Sequence, residues 1–538
     1  MIPHAQIEGK TPFWLCELEL AGRVYRFASE SVIVTDDAGT DYLYGPGLDL
    51  REVIAEPDSL SFSVDSPDDW AQEVNRGHVL EGRAGRVRRH YSGQTLEQSP
   101  IILAGLTSDV EYGDITEPLS LTLEPSDNAR SQLIPPPDAL IDSPTWPVTG
   151  GLNTEGRALG KYLAFIIGCP GHAPNEAAPL PAVPCLGVEW ASTNANSKVG
   201  IAAHAVDATK VRLWEESATP PSSGDQTAID FLDLLDITRS VTLVGTGMTQ
   251  SADWYAGFQD DSTYGGGLKN RTRTGPLRNL DEVLFELGTN YTTMDLDRGR
   301  MESEAPRLAR YKIDTYINTP TPAIEVIRRH ILPELPVVER RGPDGVWWQH
   351  WRLDATEADS VADLNADRGD IHRVGRGRLR NPDVRNEFTL KYRRLREGSS
   401  WFTTRILTAE FQTTGIKPYG TKGDSRVFGS GVCRTSQALY GYRPADAVGL
   451  PWCWDDGTAA ALLEQWALAQ AIPRLGLRYI GPPSLEAIEL GAVVTITDSE
   501  LHLSGALALV DGRIDGLGQT TLDLTLLHAP GFAARSTA

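Results

Sequence analysis

Five cysteines in 538 residues, Cys16, Cys169, Cys185, Cys433 and Cys453, are too few and too scattered for a disulfide framework. No two form a CxxC, so buried free thiols are the ordinary reading. No stretch approaches the ~18 apolar residues of a membrane span, and no transmembrane helix is expected. Basic residues are outnumbered, 50 Lys and Arg against 72 Asp and Glu, for a formal net charge of −22. A chain that gripped nucleic acid through its phosphates would carry the opposite sign. An acidic wall can still surround DNA, because it repels the backbone and lets it slide. The GxSxG, HExxH and GxGxxG motifs are absent. With so many acids, neighbouring carboxylates say nothing about acid–base chemistry. None of the cysteines has a setting suited to a nucleophilic thiolate. The expectation is a protein that is not an enzyme and carries no cofactor or metal. Met1-Ile2-Pro3-His4 lacks the charged and apolar regions of a signal peptide, so folding in a cytoplasm is expected.

What is present is β patterning in several blocks, and the length suits about three or four domains. Residues 1–134 read as short strands between turns, among them Phe13–Leu20, Arg23–Ala28, Ser31–Thr35, Ser59–Val64 and Leu119–Leu123. The run Asp36–Asp41 is a hairpin turn. Pro135-Pro136-Pro137 and Pro144–Gly151 make a stiff linker. Residues 152–276 form an inserted β-rich domain. Residues 277–385 mix helices with strands. Asn279 and Glu282 form a capping box, Gly288 ends that helix, and Thr321-Pro322 opens another. Residues 386–538 return to strands, interrupted by a helix over Thr458–Ala471 capped by Asp455 or Asp456. The fold class is multidomain and mainly β, with an α+β middle part and two barrel-like β domains flanking inserted regions. Residues 103–123 and 507–526 echo each other, each a strand, a charged turn and a closing strand of alternating leucines. Duplication and chance both account for that echo.

Three motifs carry partial chemical signatures. Gly9-Lys10-Thr11 matches the end of a P-loop, but His4 stands where glycine is required. Asp363, Asn365 and Asp367 have calcium-loop spacing, but Arg368 occupies the glycine position and Val374 the place of the bidentate glutamate. Cys169, His172 and Cys185 could supply three metal ligands without a fourth. Ordinary loops and buried thiols account for all three. Between Arg368 and Arg396 ten basic residues face only Asp370, Asp383 and Glu387. Such arginines suit carboxylates of a neighbouring subunit, DNA phosphate, or plain solvent. Arg376, Arg378, Arg380, Arg393 and Arg394 are the candidate interface residues, together with Trp347 and Trp348 from a tryptophan cluster that suits an interface or sugar stacking.

A family resemblance is concentrated in residues 386–528. It runs through Arg385-Asn386-Glu387-Phe388-Thr389-Leu390-Lys391-Tyr392, Tyr440-Gly441, the helix Thr458–Ala471, Pro473-Arg474 and Leu490-Gly491-Ala492-Val493-Val494, to a closing Leu522–Leu526 strand. Upstream, Gly160-Lys161-Tyr162 and Ile166-Ile167-Gly168 extend it. This order resembles baseplate hub and tail tip proteins of long-tailed phages and gene transfer agents, although Ala492 replaces the family's usual acid. The resemblance implies a homotrimer whose two barrel-like domains alternate around a ring, adapting a sixfold tail tube to a threefold tip. It also implies a virion location at the tail tip, assembly in the host cytoplasm, and transient passage of genomic DNA. Implied neighbours are a distal tail or tail tube protein, a tape measure protein and a central fibre or spike. A carbohydrate-binding tail protein and a virion-associated cell-wall hydrolase are the alternatives.

Overall fold

The computed structural model describes residues 12–55, 59–65, 76–111, 118–125, 131–141, 160–172, 180, 182–189, 197–204, 211–215, 242–246, 254–258, 277–342, 345–375, 377–380, 383–395, 401–409 and 424–527. It is mainly β, with several sheets and few helices. Arg376 and the Gly9-Lys10-Thr11 motif lie outside the described residues.

The N-terminal sheet has nine strands in the order Val32–Thr35, Asp41–Pro46, Arg23–Ala28, Pro12–Leu20, Ala84–Tyr91, Ile101–Glu111, Leu119–Pro125, Leu60–Val64, Leu48–Asp49. The period of two decides what each face buries. Trp14, Cys16, Leu18 and Leu20 join Leu60, Phe62, Val64, Leu119, Leu121 and Leu123 in one core. The opposite face of the same first strand packs Leu15 against Ala28, Val34 and Tyr44. Glu17 also lies on that second face. It is buried, accepts a 2.8 Å hydrogen bond from the Tyr44 hydroxyl and pairs with Arg26 and Arg86. Its burial opposes ionisation, but the tyrosine and the arginines outweigh that and hold its pKa below the ordinary value.

The C-terminal sheet runs Ser360–Asn365, Val493–Asp498, Leu503–Gly516, Thr520–Leu526, Leu475–Gly481, His372–Arg373, with Arg378–Leu379 also on Leu475–Gly481. Four consecutive strands here and four in the N-terminal sheet share one topology. Leu60–Val64, Ala84–Tyr91, Ile101–Glu111 and Leu119–Pro125 lie in the spatial order second, third, fourth, first, all antiparallel. Leu475–Gly481, Val493–Asp498, Leu503–Gly516 and Thr520–Leu526 repeat that order and direction. The sequence echo falls on the third and fourth strands of both sets. Both hairpins carry a register shift, between Ser120 and Thr122 in one and between Val510 and Gly512 in the other. Such bulges sharpen the local twist. Among the described residues both sheets are open in their hydrogen bonding, so neither is a closed barrel.

The packing does not follow the expected break at residue 386. Strands from 360–379 belong to the C-terminal sheet, whereas Phe388, Leu390, Tyr392, Leu407 and the helix Asp456–Gln470 share a core with the helices Leu280–Tyr291 and Arg298–Leu308. Glu52–Ile54, from the N-terminal segment, pairs with Ile514–Gly516 of the C-terminal sheet. The middle core is therefore made by two stretches of chain, and the N-terminal segment lends one short strand to the C-terminal sheet. The insert forms a five-stranded antiparallel sheet within 183–258.

One local capping signal holds in full. The Asp455 side chain accepts from the Thr458 N–H and starts the helix Asp456–Gln470. Elsewhere tertiary packing shifts such signals. Asn279 sits at the N-cap of Leu280–Tyr291 without a side-chain capping bond. Gly288 lies inside that helix, where an added Cβ would come within 2.9 Å of Leu296 Cδ1. Thr321-Pro322 pairs with Leu133–Ile134, and Pro322 is the N-cap of a helix that starts at Ala323, one residue later than expected. Gly168 joins a φ of +71° to a site where a Cβ would lie 2.0 Å from the Ile313 carbonyl oxygen. Gly168→Ala is expected to lower stability by roughly 3 kcal/mol or more. Gly39→Ala, at φ +83° with nothing within 4 Å, should cost only about 1–2 kcal/mol of backbone strain. Denaturant midpoints of the two variants check the difference.

Candidate assembly surface

The candidate interface residues separate into two groups once placed on the fold. Trp347 and Trp348 sit on the strand Gly345–His350, hairpin partner of Val337–Gly342. Adjacent strand residues point to opposite faces, yet both indoles are buried, because the hairpin is covered on both sides. The Arg300 guanidinium lies 4.4 Å from the Trp347 ring and is held by Glu489. Arg393 is also internal, with φ +56°. It donates to the Trp454 carbonyl at 3.0 Å and to Asp456 at 2.9 Å, where the Tyr392 hydroxyl also donates at 2.6 Å. These three are core residues, which corrects the interface expectation for them. Clustered tryptophan and arginine carry the same sequence signal on a surface and in a core.

Arg378, Arg380 and Arg394 remain at least partly exposed. Arg394 lies 5.9 Å from the Trp401 ring. Arg378 and Arg380 flank the exposed Leu379 on the outer edge of the C-terminal sheet. Of that tryptophan cluster only Trp351 is exposed, at 40%, while Trp347 and Trp348 are buried.

The remaining motifs are structural where described. Asn365 Oδ1 accepts from the Arg368 N–H, Arg368 bridges Asp363 and Asp370 at 3.1 Å each, and Asp367 accepts from Ser499. The calcium-spaced oxygens are thus engaged by an arginine and a serine. Cys169 is buried and its N–H donates to Asp314, while the Cys185 thiol faces the Val183 carbonyl at 3.6 Å.

Sequence reasoning misses the buried polar pairs, because their members lie far apart in the chain. Arg278 clamps Asp314 with bonds of 2.6 and 2.8 Å, both residues almost fully buried. Arg89, stacked 4.1 Å over Trp14, pairs with Glu486 at 3.1 Å and donates to the Gly516 carbonyl at 2.6 Å. That contact binds the N-terminal sheet to the C-terminal unit. His350 Nε2 meets the Tyr311 hydroxyl at 2.9 Å, and burial lowers its pKa from 6.5 to about 4. The folded protein therefore refuses a proton that the unfolded chain accepts. Stability from this group is complete above pH 6.5 and falls as the pH drops towards 4, by roughly 3 kcal/mol. His350→Gln should flatten that part of the stability–pH curve, read from urea midpoints at pH 7 and 4.5.

No protein-family model and no curated relative matches the chain. Among solved structures, it is similar to a tail protein from Neisseria meningitidis MC58, at 11% identity and TM-score 0.33, over 95% of this chain and 96% of that one. It is similar to the 43 kDa tail protein of prophage MuSo2 from Shewanella oneidensis, at 12% identity and TM-score 0.31, over 95% and 97%. A chain from the virion of a native gene transfer agent particle aligns at 16% identity and TM-score 0.20, over 47% of this chain and 81% of that one.

Proposed function

We propose that this chain is a structural component of a bacteriophage tail, the hub at its tip, and not an enzyme. In this reading three copies close a ring below the tail tube and above a central fibre or spike, and the ring forms a channel for the genome. The observation that carries it is the repeated four-strand topology of Leu60–Pro125 and Leu475–Leu526. Two similar β units per chain give six similar units from three chains, which is what a junction between sixfold and threefold symmetry requires. The sequence resemblance in residues 386–528 points the same way. A charge of −22 per chain suits a conduit through which DNA slides without being held.

Immunogold labelling of isolated tails with antibody against this chain tests the placement. Label confined to one tip, the end that meets the cell, is the expected result. Label along the tail shaft or on the capsid contradicts the reading. Purified chain should leave peptidoglycan intact, and turbidity loss on that substrate would restore the hydrolase alternative.

A further inference from the structure

Among the described residues, the sheets at the two ends of the chain each finish in an edge that no further strand pairs with, one acidic and one basic. On the N-terminal sheet the outer strand is Val32–Thr35, paired with Asp41–Pro46. The Leu96 N–H covers its end at the Thr35 carbonyl, 3.0 Å away, and leaves the Val32–Val34 part without a second neighbouring strand among the described residues. Ile33 and Leu43 face each other across that pair and are 64% and 65% exposed. From Phe27 to Leu50 the chain holds Glu30, Asp36, Asp37, Asp41 and Asp49 and no lysine or arginine. Glu30, Asp36, Asp37 and Asp41 make no ion pair among the described residues. On the C-terminal sheet the outer edge is His372–Arg373 and Arg378–Leu379. Val374 and Leu379 are 42% and 59% exposed there. Arg373 is engaged by Glu500, and Arg368 by Asp363 and Asp370. Arg378 makes no ion pair among the described residues, and Arg380 makes only a long one, 4.0 Å from Asp511.

An open edge presents unpaired backbone N–H and C=O groups and templates the addition of another strand. Apolar side chains at the centre and charges at the rim are the anatomy of a protein interface. Two like edges would set acid against acid or arginine against arginine, which repel. Unlike edges complement each other, and every copy of this chain carries one of each.

We propose that the acidic edge of one copy docks on the basic edge of the next. Ile33 and Leu43 then lie against Leu379 and Val374, and Arg378 and Arg380 pair with Glu30, Asp36 and Asp37. The contact is head-to-tail, so repetition closes a ring when the rotation permits. The inference rests on the ring reading above and supplies its interface.

The test is disulfide capture in assembled tail particles carrying the full chain with Ile33→Cys and Leu379→Cys. Oxidation should link chains covalently up to a closed three-chain product on a denaturing gel, while either single variant stays uncrosslinked. Adding Arg378→Glu and Arg380→Glu should cut the cross-linked yield at least about tenfold, and Glu30→Lys with Asp37→Lys should then restore it. Particles with three copies by quantitative mass spectrometry and no cross-link overturn this docking but leave the ring standing. Particles with one copy overturn the ring reading itself. Yield lost and not restored by the acidic-edge changes assigns the arginines to another partner, nucleic acid or a neighbouring protein, and overturns the proposal.

Discussion

Replacing Arg278 by alanine is expected to destabilise the middle of the chain by about 3–5 kcal/mol. The guanidinium is the bidentate partner of Asp314, which is fully buried and also accepts from the Cys169 N–H at 2.8 Å. Removing the arginine leaves a carboxylate in a dry site with one backbone donor. That loss is large against a total of ~5–15 kcal/mol for an ordinary domain. Around the pair four separate stretches meet. Ile313 N–H donates to the Arg278 carbonyl, Asp314 N–H to that of Trp452, and Gly168 N–H to that of Leu277. A cooperative loss of the 280–335 and 388–471 core is expected in hydrogen exchange. Arg278→Met with Asp314→Leu should recover most of the lost stability, because an apolar pair removes the orphaned charge. Equal destabilisation in the single and double variants would show that the pair acts through shape rather than charge.

Arg89→Ala is expected to have a comparable effect at a different place, the junction of the two β units. Arg89 and Glu486 are 1% and 9% exposed, and Arg513 and Asp515 form a second pair beside them at 3.0 Å. Burial pushes the pKa of both Glu486 and Asp515 up, with Arg89 and Arg513 pulling the other way. Truncating Arg89 removes a charge partner and the hydrogen bond to Gly516, for about 3–5 kcal/mol. Gly516 lies in the stretch that pairs with Glu52–Ile54. Faster hydrogen exchange should therefore appear at 52–54 and 514–516 before it appears elsewhere. Unchanged protection there would show that the added strand Glu52–Ile54 alone holds the junction.

Much of the β organisation is legible in the sequence, because one-sided burial imposes a period of two. Expected strands such as Arg23–Ala28 and Leu119–Leu123 coincide with observed Arg23–Ala28 and Leu119–Pro125. The echo between residues 103–123 and 507–526 locates the repeated hairpin, since the closing strands bury matched leucines, Leu119, Leu121 and Leu123 in one and Leu522, Leu524 and Leu526 in the other. The helix Arg298–Leu308 is not legible. It reads RGRMESEAPRL, and only Met301, Glu304 and Leu308 are buried, so its apolar stripe is too thin to register. Glu304 is recruited inward by Arg352 at 2.8 Å, a partner 48 positions away. Arg393 is illegible for a similar reason, since its place depends on Asp456 and on the carbonyl of Trp454. Sequence separates a basic cluster from its surroundings. It does not show which arginines turn inward, and here Arg393 does while Arg378 and Arg380 do not.

The central claim is that three copies of this chain form the tail tip as a ring of six similar β units. An electron-microscopic reconstruction of the intact tail tip tests it most directly. The account predicts a threefold ring of this chain, coaxial with the tube, in which N-terminal and C-terminal β units alternate and the lumen between them is lined with carboxylates. A tip that contains this chain as a single copy, as a sixfold ring, or only as a peripheral appendage outside the channel would contradict it.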